Sequence, residues 1–335
     1  MAATSVAPDR AAPAIFADAV ARHIAGDARD AIALYHKALA ADPTLAEAHN
    51  NLATLLAARG QEPEAERHLE RAVALQPDYG EAHNNLGILW SSRGEHARAL
   101  PAFERAVALE GGKAAWLNNL GNSYVECFRF EEALRTYDRA IAINPLDAEC
   151  WSNRGLALRG LRRPDEAMDS FRRAIDIVPA HVSALSNLAI VLKEQKQLDE
   201  AVRTMTRATE LDPANATLWA NFAAIHEARG EYDRMRDLAA HARDLDPTSA
   251  EPLNLLANYA MEGGRYDEAL ALYDQALALD PVNCNANWNL ALIWLLHGDF
   301  ERGWKQFEWR KRLQSVVFDH GSSAGAEGKG ESLEG

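Results

Sequence analysis

Cysteine is scarce. Cys127, Cys150 and Cys284 are the only three, far apart and without metal-type spacing. That pattern excludes a disulfide framework and a cysteine-ligated metal centre, and it suits a reducing compartment. Clustered basic charge is also missing. No Lys/Arg block stands out and the formal net charge is -14, a poor match to nucleic acid or anionic lipid. No apolar run reaches the roughly 18 residues that a membrane span requires. The opening stretch MAATSVAPDRAAPAIF has no basic region followed by an apolar one, so no signal peptide is expected and the cytoplasm is the expected compartment. β-Branched residues are sparse, which argues against sheets. Much of the 48% hydrophobic content is alanine, which implies close-packed helices.

What the chain does have is a period. AHNNLATLLAARG at Ala48–Gly60 returns as AHNNLGILWSSRG at Ala82–Gly94, 34 residues later. Pro43, Pro77, Pro145, Pro179, Pro213, Pro247 and Pro281 lie on the same grid, with Gly111 at the one point that lacks proline. Both residue types end helices. With this residue as position 32, nine units fit, starting at Ala12, Ala46, Gly80, Ala114, Ala148, Val182, Ala216, Ala250 and Cys284. Position 8 is Ala or Gly in all nine, and positions 20 and 27 are almost always alanine. Position 15 is glycine in six units, where a first helix should stop. Large apolar residues recur at position 24, among them Tyr35, Leu69, Phe103, Tyr137, Phe171, Met205 and Tyr273. Each unit therefore reads as helix, tight turn, helix, turn.

This pattern resembles the tetratricopeptide repeat family, over roughly residues 12–315. The resemblance implies an all-α fold, a right-handed α-solenoid of about nine 34-residue helix-turn-helix repeats. Residues 1–11 and 316–335 are expected to be flexible tails, the second rich in Gly and Ser. About eighteen helices are expected. Arg154 stands at a normally apolar position and is expected to snorkel or pair locally.

Positions 2, 6, 9 and 13 of each first helix share one stripe, and in the family that stripe faces the inside of the superhelix. Position 6 is Asn51, Asn85, Asn119, Asn153, Asn187 and Asn221, then Leu255, then Asn289. An amide offers donors and an acceptor, so a row of them can grip the backbone of an extended peptide with little regard for its side chains. Bracing of neighbouring backbone is the other reading of the same residues. The row is similar to the repeat arms of O-linked N-acetylglucosamine transferases, which implies that the matching asparagines hold substrate peptide. The second asparagine, at position 5 (Asn50, Asn84, Asn118), is expected to solvate the groove rim. Repeat domains that clamp carboxylates carry cations at positions 2, 5 and 6. Here those positions have none, and position 2 is Glu47, Glu81, Glu149 and Glu251 in four units.

Catalytic chemistry finds no support. GSSAG at Gly321–Gly325 matches a nucleophile elbow in letters, but Ser323 lacks the strand and helix that such an elbow needs. His49 and His83 share position 4 and are expected to be partly buried spacers. No catalytic residue, metal site or cofactor is expected.

The last unit is unusual. A solenoid should end on a polar face, yet this one carries Trp304, Phe307 and Trp309. Gly303–Arg310 resembles the last repeat of bacterial tetratricopeptide proteins that continue into a glycosyltransferase-like domain. The three aromatics are the expected docking interface, for a following catalytic domain or a second copy of the chain. Two functions remain open: a non-catalytic scaffold that binds protein or peptide segments, or the substrate-recognition arm of a glycosyltransferase.

Overall fold

The computed structural model describes residues 12–309 and 311. The expected tails, Ser323 and Arg310 lie outside the described residues. Eighteen α-helices and no strand occur among the described residues. The all-α expectation and the helix count both hold.

The chain divides into two compact blocks, residues 1–157 and 158–335. The N-terminal block holds four hairpins. They are α1 (Ala12–Ile24) with α2 (Ala28–Ala41), α3 (Ala46–Ala57) with α4 (Glu62–Leu75), α5 (Gly80–Ser92) with α6 (His96–Leu109), and α7 (Ala114–Glu126) with α8 (Phe130–Ile143). The block boundary falls inside α9 (Ala148–Gly160). In the C-terminal block α10 (Pro164–Ile177) packs on α11 (Val182–Glu194), which pairs with α12 (Leu198–Leu211). Three hairpins follow: α13 (Ala216–Ala228) with α14 (Tyr232–Leu245), α15 (Ala250–Glu262) with α16 (Tyr266–Leu279), and α17 (Cys284–Leu296) with α18 (Phe300–Phe307).

The turn inside each hairpin is left-handed. Gly26, Gly60, Gly94, Gly230, Gly264 and Gly298 all have positive φ. The three units without that glycine keep the same bend. Phe128, Arg162 and Lys196 occupy position 15 at φ 58°, 57° and 61°. Hairpin packing imposes the conformation there despite a cost of about 1–2 kcal/mol for a side chain with Cβ.

Small residues let the two helices of a hairpin touch. A Cβ on Gly87 would lie 2.7 Å from the Phe103 ring, and one on Gly121 would collide with Tyr137. Position 8 of the first helix thus receives the large side chain at position 24 of the second. Tyr35, Tyr137, Phe171 and Tyr273 are fully buried in this way. Gly303 departs from the alanine usual at position 20 because Leu295 presses on it, 2.7 Å from where a Cβ would be.

Position 4 ties successive units together. His49 and His83 donate from Nε2 to the carbonyls of Pro43 and Pro77 at 3.2 and 3.1 Å. Trp151 and Trp219 do the same to Pro145 and Pro213 at 3.0 and 2.8 Å, and Asn287 to Pro281 at 3.3 Å. The grid proline removes one backbone donor, and its carbonyl is then satisfied by the next helix. His49 and His83 are therefore turn-binding donors and not mere spacers.

Candidate functional site: the first-helix face and its asparagines

The first helices of successive hairpins touch one another in both blocks, α3 with α5 and α5 with α7, α11 with α13 and α13 with α15. Within each block they form a face along which that block's stripe residues run. Asn51, Asn85, Asn119, Asn153, Asn187, Asn221 and Asn289 are all half-buried.

In the N-terminal block the two asparagine rows interlock. Asn85 Nδ2 donates to Asn50 Oδ1 at 2.9 Å, Asn119 Nδ2 to Asn84 Oδ1 at 3.3 Å, and Asn153 Nδ2 to Asn118 Oδ1 at 3.2 Å. Asn50 Nδ2 in turn donates to Asn51 Oδ1 at 3.2 Å. Each of these three position-6 amides thus grips the position-5 carbonyl oxygen of the preceding unit. Asn50 is 0% exposed and Asn84 is also buried. Position 5 is therefore not rim solvation, as the sequence suggested. It is the acceptor of an inter-repeat brace, buried at Asn50 and Asn84 and half-buried at Asn118, and a buried amide needs such partners.

The brace uses one N–H of each position-6 amide. Among the described residues, Oδ1 of Asn85, Asn119 and Asn153 accepts no hydrogen bond, so that oxygen and a second N–H stay available. In the C-terminal block the pattern changes. Asn221 follows Ser186, and no ladder bond forms there among the described residues. Asn289 donates instead to Asn258 Oδ1 and to the Tyr273 hydroxyl, both at 3.0 Å. Asn254 is 3% exposed and has neither ladder partner, because Leu255 stands beside it and Asn289 has turned away.

Between α3 and α5 the face opens into a cavity of about 330 Å³. Ala53, Ala57 and Leu69 line it from one unit, and Asn85, Ile88 and Ser92 from the next. No sequence motif announces it. Leu69, which lines it, stands where neighbouring units place a larger ring: Tyr35, Phe103 or Tyr137.

Charge near the cavity is locally neutralised. Arg93 bridges Glu62 at 2.8 Å and Glu66 at 2.5 Å, and Arg98 reaches Glu66 at 2.9 Å. The Trp90 indole N–H, joined by Arg93 and Arg98, holds the Glu66 carboxyl down at about 2 against the upward push of burial. Arg154 pairs with Asp138 at 2.7 Å, as expected of a locally paired arginine.

A histidine cluster lies at the α2–α4 side of the N-terminal block. Because His49 Nε2 carries the proton given to Pro43, its Nδ1 accepts from His68 Nδ1 at 2.7 Å. Burial, then His49 and His36, press the His68 pKa down to about 4. The unfolded chain protonates this residue near 6.5 while the folded chain refuses the proton down to about 4. Stability is therefore expected to fall as pH drops through that window. Thermal melts at pH 7.5 and pH 5 should differ by roughly 2–4 °C more in the wild type than in His68→Asn. Equal differences would contradict the assignment.

At the C-terminal end Trp304 is 57% exposed. Phe307 is half-buried and stacks on Trp288, with ring centroids 4.7 Å apart, and meets Trp304 edge-on at 5.4 Å. Trp309 is half-buried. Leu296 and Phe300 add to the exposed apolar surface. No helix of the described residues is long and apolar enough to cross a membrane, and no group of His, Cys, Asp or Glu among them is arranged to hold a metal ion.

Comparison with known proteins agrees with the repeat reading. Tetratricopeptide repeat profiles match residues 23–86, and also 60–115 and 254–303. The profile of the cilia and flagella-associated protein 70 middle TPR-like domain matches residues 117–246. No curated protein gives a significant match. Among solved structures, a tetratricopeptide repeat protein from Parabacteroides merdae aligns with a TM-score of 0.61 and 20% identity, over 70% of this chain and 93% of that one. Pseudomonas aeruginosa pilF aligns at 0.54 and 21% identity, over 64% and 97%. The Cut9-Hcn1 hetero-tetramer of the APC/C aligns at 0.61 and 16% identity, over 79% and 52%. At these identities the likeness concerns the fold. With its 34-residue period, its helical hairpins and these matches, the chain is a tetratricopeptide repeat protein.

Proposed function

We propose that the chain is a non-catalytic scaffold that holds extended protein segments along its first-helix face, with the position-6 asparagines as the gripping groups. One observation carries this. In Asn85, Asn119 and Asn153 the brace consumes one N–H and leaves an acceptor oxygen and a second N–H on a half-buried surface. Those are the complements of a peptide C=O and N–H, and the brace holds each amide in a fixed orientation beforehand. Preorganised groups lose little freedom on binding. The tetratricopeptide fold generally serves protein–protein contact, which fits a scaffold role.

Side-chain amide NMR tests the assignment. On titration with a peptide ligand, the NH₂ signals of Asn85, Asn119 and Asn153 should move first and farthest. Movement confined to the second helices, with the asparagine signals static, would contradict it.

A second reading is favoured by the exposed Trp304 beside Phe307 and Phe300. An apolar end on a repeat array marks an interface, and it fits a recognition arm that docks onto a glycosyltransferase-like domain or onto a second copy. The two readings are compatible, since they use different residues.

A further inference from the structure

We infer that the first-helix face of the N-terminal block selects a cationic segment and anchors it by one apolar side chain, held in the cavity between α3 and α5. This rests on the peptide-scaffold reading and adds to it the chemistry of the peptide.

The cavity supplies the anchor. Ala53, Ala57, Leu69 and Leu89 give it apolar walls, Thr54 and Glu62 line it beside them, and Ile88, which also lines it, is 45% exposed. A β-branched apolar side chain kept in water at the edge of an apolar hollow gains by being covered. The volume of about 330 Å³ suits one or two side chains and not a large ligand. Asn85 also lines the hollow, so a side chain seated there brings its own backbone to the amide that has spare hydrogen-bonding groups.

Charge names the occupant. Along the stripe of this block, positions 2 and 13 place Glu47, Glu81, Glu126 and Glu149 on the exposed surface. No lysine or arginine stands at any stripe position. Arg93, which bridges the cavity-lining Glu62, is already met by Glu62 and Glu66. An acidic segment would be repelled along its length, and a segment carrying lysine or arginine would be drawn in.

The test is selection of a random dodecapeptide display library on the immobilised full chain, followed by affinity measurement with the enriched peptides. Enriched sequences should carry Lys or Arg around one Leu, Ile, Met or Phe. Leu69→Phe should fill the hollow. An aromatic ring is native at this position in three neighbouring units, so this variant should fold. It should weaken the enriched peptides by about 10–100-fold, as expected for denying burial to one large apolar side chain. Ile88→Ser, at an exposed position, should weaken them in the same direction and serves if Leu69→Phe does not fold. Glu47→Gln with Glu81→Gln should cost a few-fold, and more at low salt than at high. Peptides that bind both cavity variants as tightly as wild type, yet lose affinity to Asn85→Ala, would overturn the anchor and leave the groove reading standing. Enrichment of acidic peptides would overturn the charge selection. Failure to enrich any sequence would overturn the inference and the groove reading together.

Discussion

Replacing Tyr137 with alanine is expected to destabilise the N-terminal block by about 3–5 kcal/mol, the range for losing a large aromatic from a close-packed core. The ring is fully buried and lies against Gly121, where even one added carbon would collide with it. Its hydroxyl donates to Asn122 Oδ1 at 2.6 Å. Truncation removes the apolar burial, opens a cavity that helices this tightly joined cannot close, and strands that acceptor. Tyr137→Phe isolates the polar part and should cost about 0.5–1.5 kcal/mol. Burial pushes the phenol pKa upward, so the hydroxyl stays a donor across the accessible pH range. Denaturant titration followed by circular dichroism measures both. Repeat arrays lose stability locally and through their neighbours, so hydrogen exchange should show the loss concentrated in α7 and α8. A Tyr137→Ala variant within about 1 kcal/mol of wild type would mean that the hairpin core is not packed as described.

Most of the fold was legible because its determinants are local and repeated. Proline at position 32, glycine at position 15 and small residues at positions 8, 20 and 27 each have one physical job, and nine copies amplify them. The parts that escaped the sequence depend on contact between units. Asn50 and Asn51 are adjacent and alike in composition. They point about 100° apart on the helix, and only the neighbouring unit decides that Asn50 is buried and Asn51 half-buried. The position-4 donors escaped for the same reason. His49, Trp151 and Asn287 share no obvious property until the proline carbonyl that all three meet is in view. Position 15 is not glycine in every unit, and there Phe128, Arg162 and Lys196 take the left-handed bend as well. The cavity beside Leu69 lies where the position-24 column has no aromatic. A leucine there looks like an ordinary core residue until the space around it is known.

The position-6 asparagines carry the functional claim, and they also brace the array, so their removal has two consequences that must be separated. Asn85, Asn119 and Asn153 changed together to alanine lose the groups offered to a peptide and the bonds to Asn50, Asn84 and Asn118. Changing Asn50, Asn84 and Asn118 to serine instead breaks the brace alone. Serine already occupies that position as Ser152 and Ser186, and the position-6 amides remain. The deciding measurement is the affinity of one selected peptide for these two triple variants and the wild type, taken well below the melting temperature of each. If the amides grip the peptide, three lost hydrogen bonds at about 0.5–1.5 kcal/mol each weaken the alanine variant by roughly 10- to 1,000-fold, and the serine variant binds within a few-fold of wild type. If both variants lose affinity alike, or neither does, the asparagines are braces only and the first-helix face is not where the peptide is held.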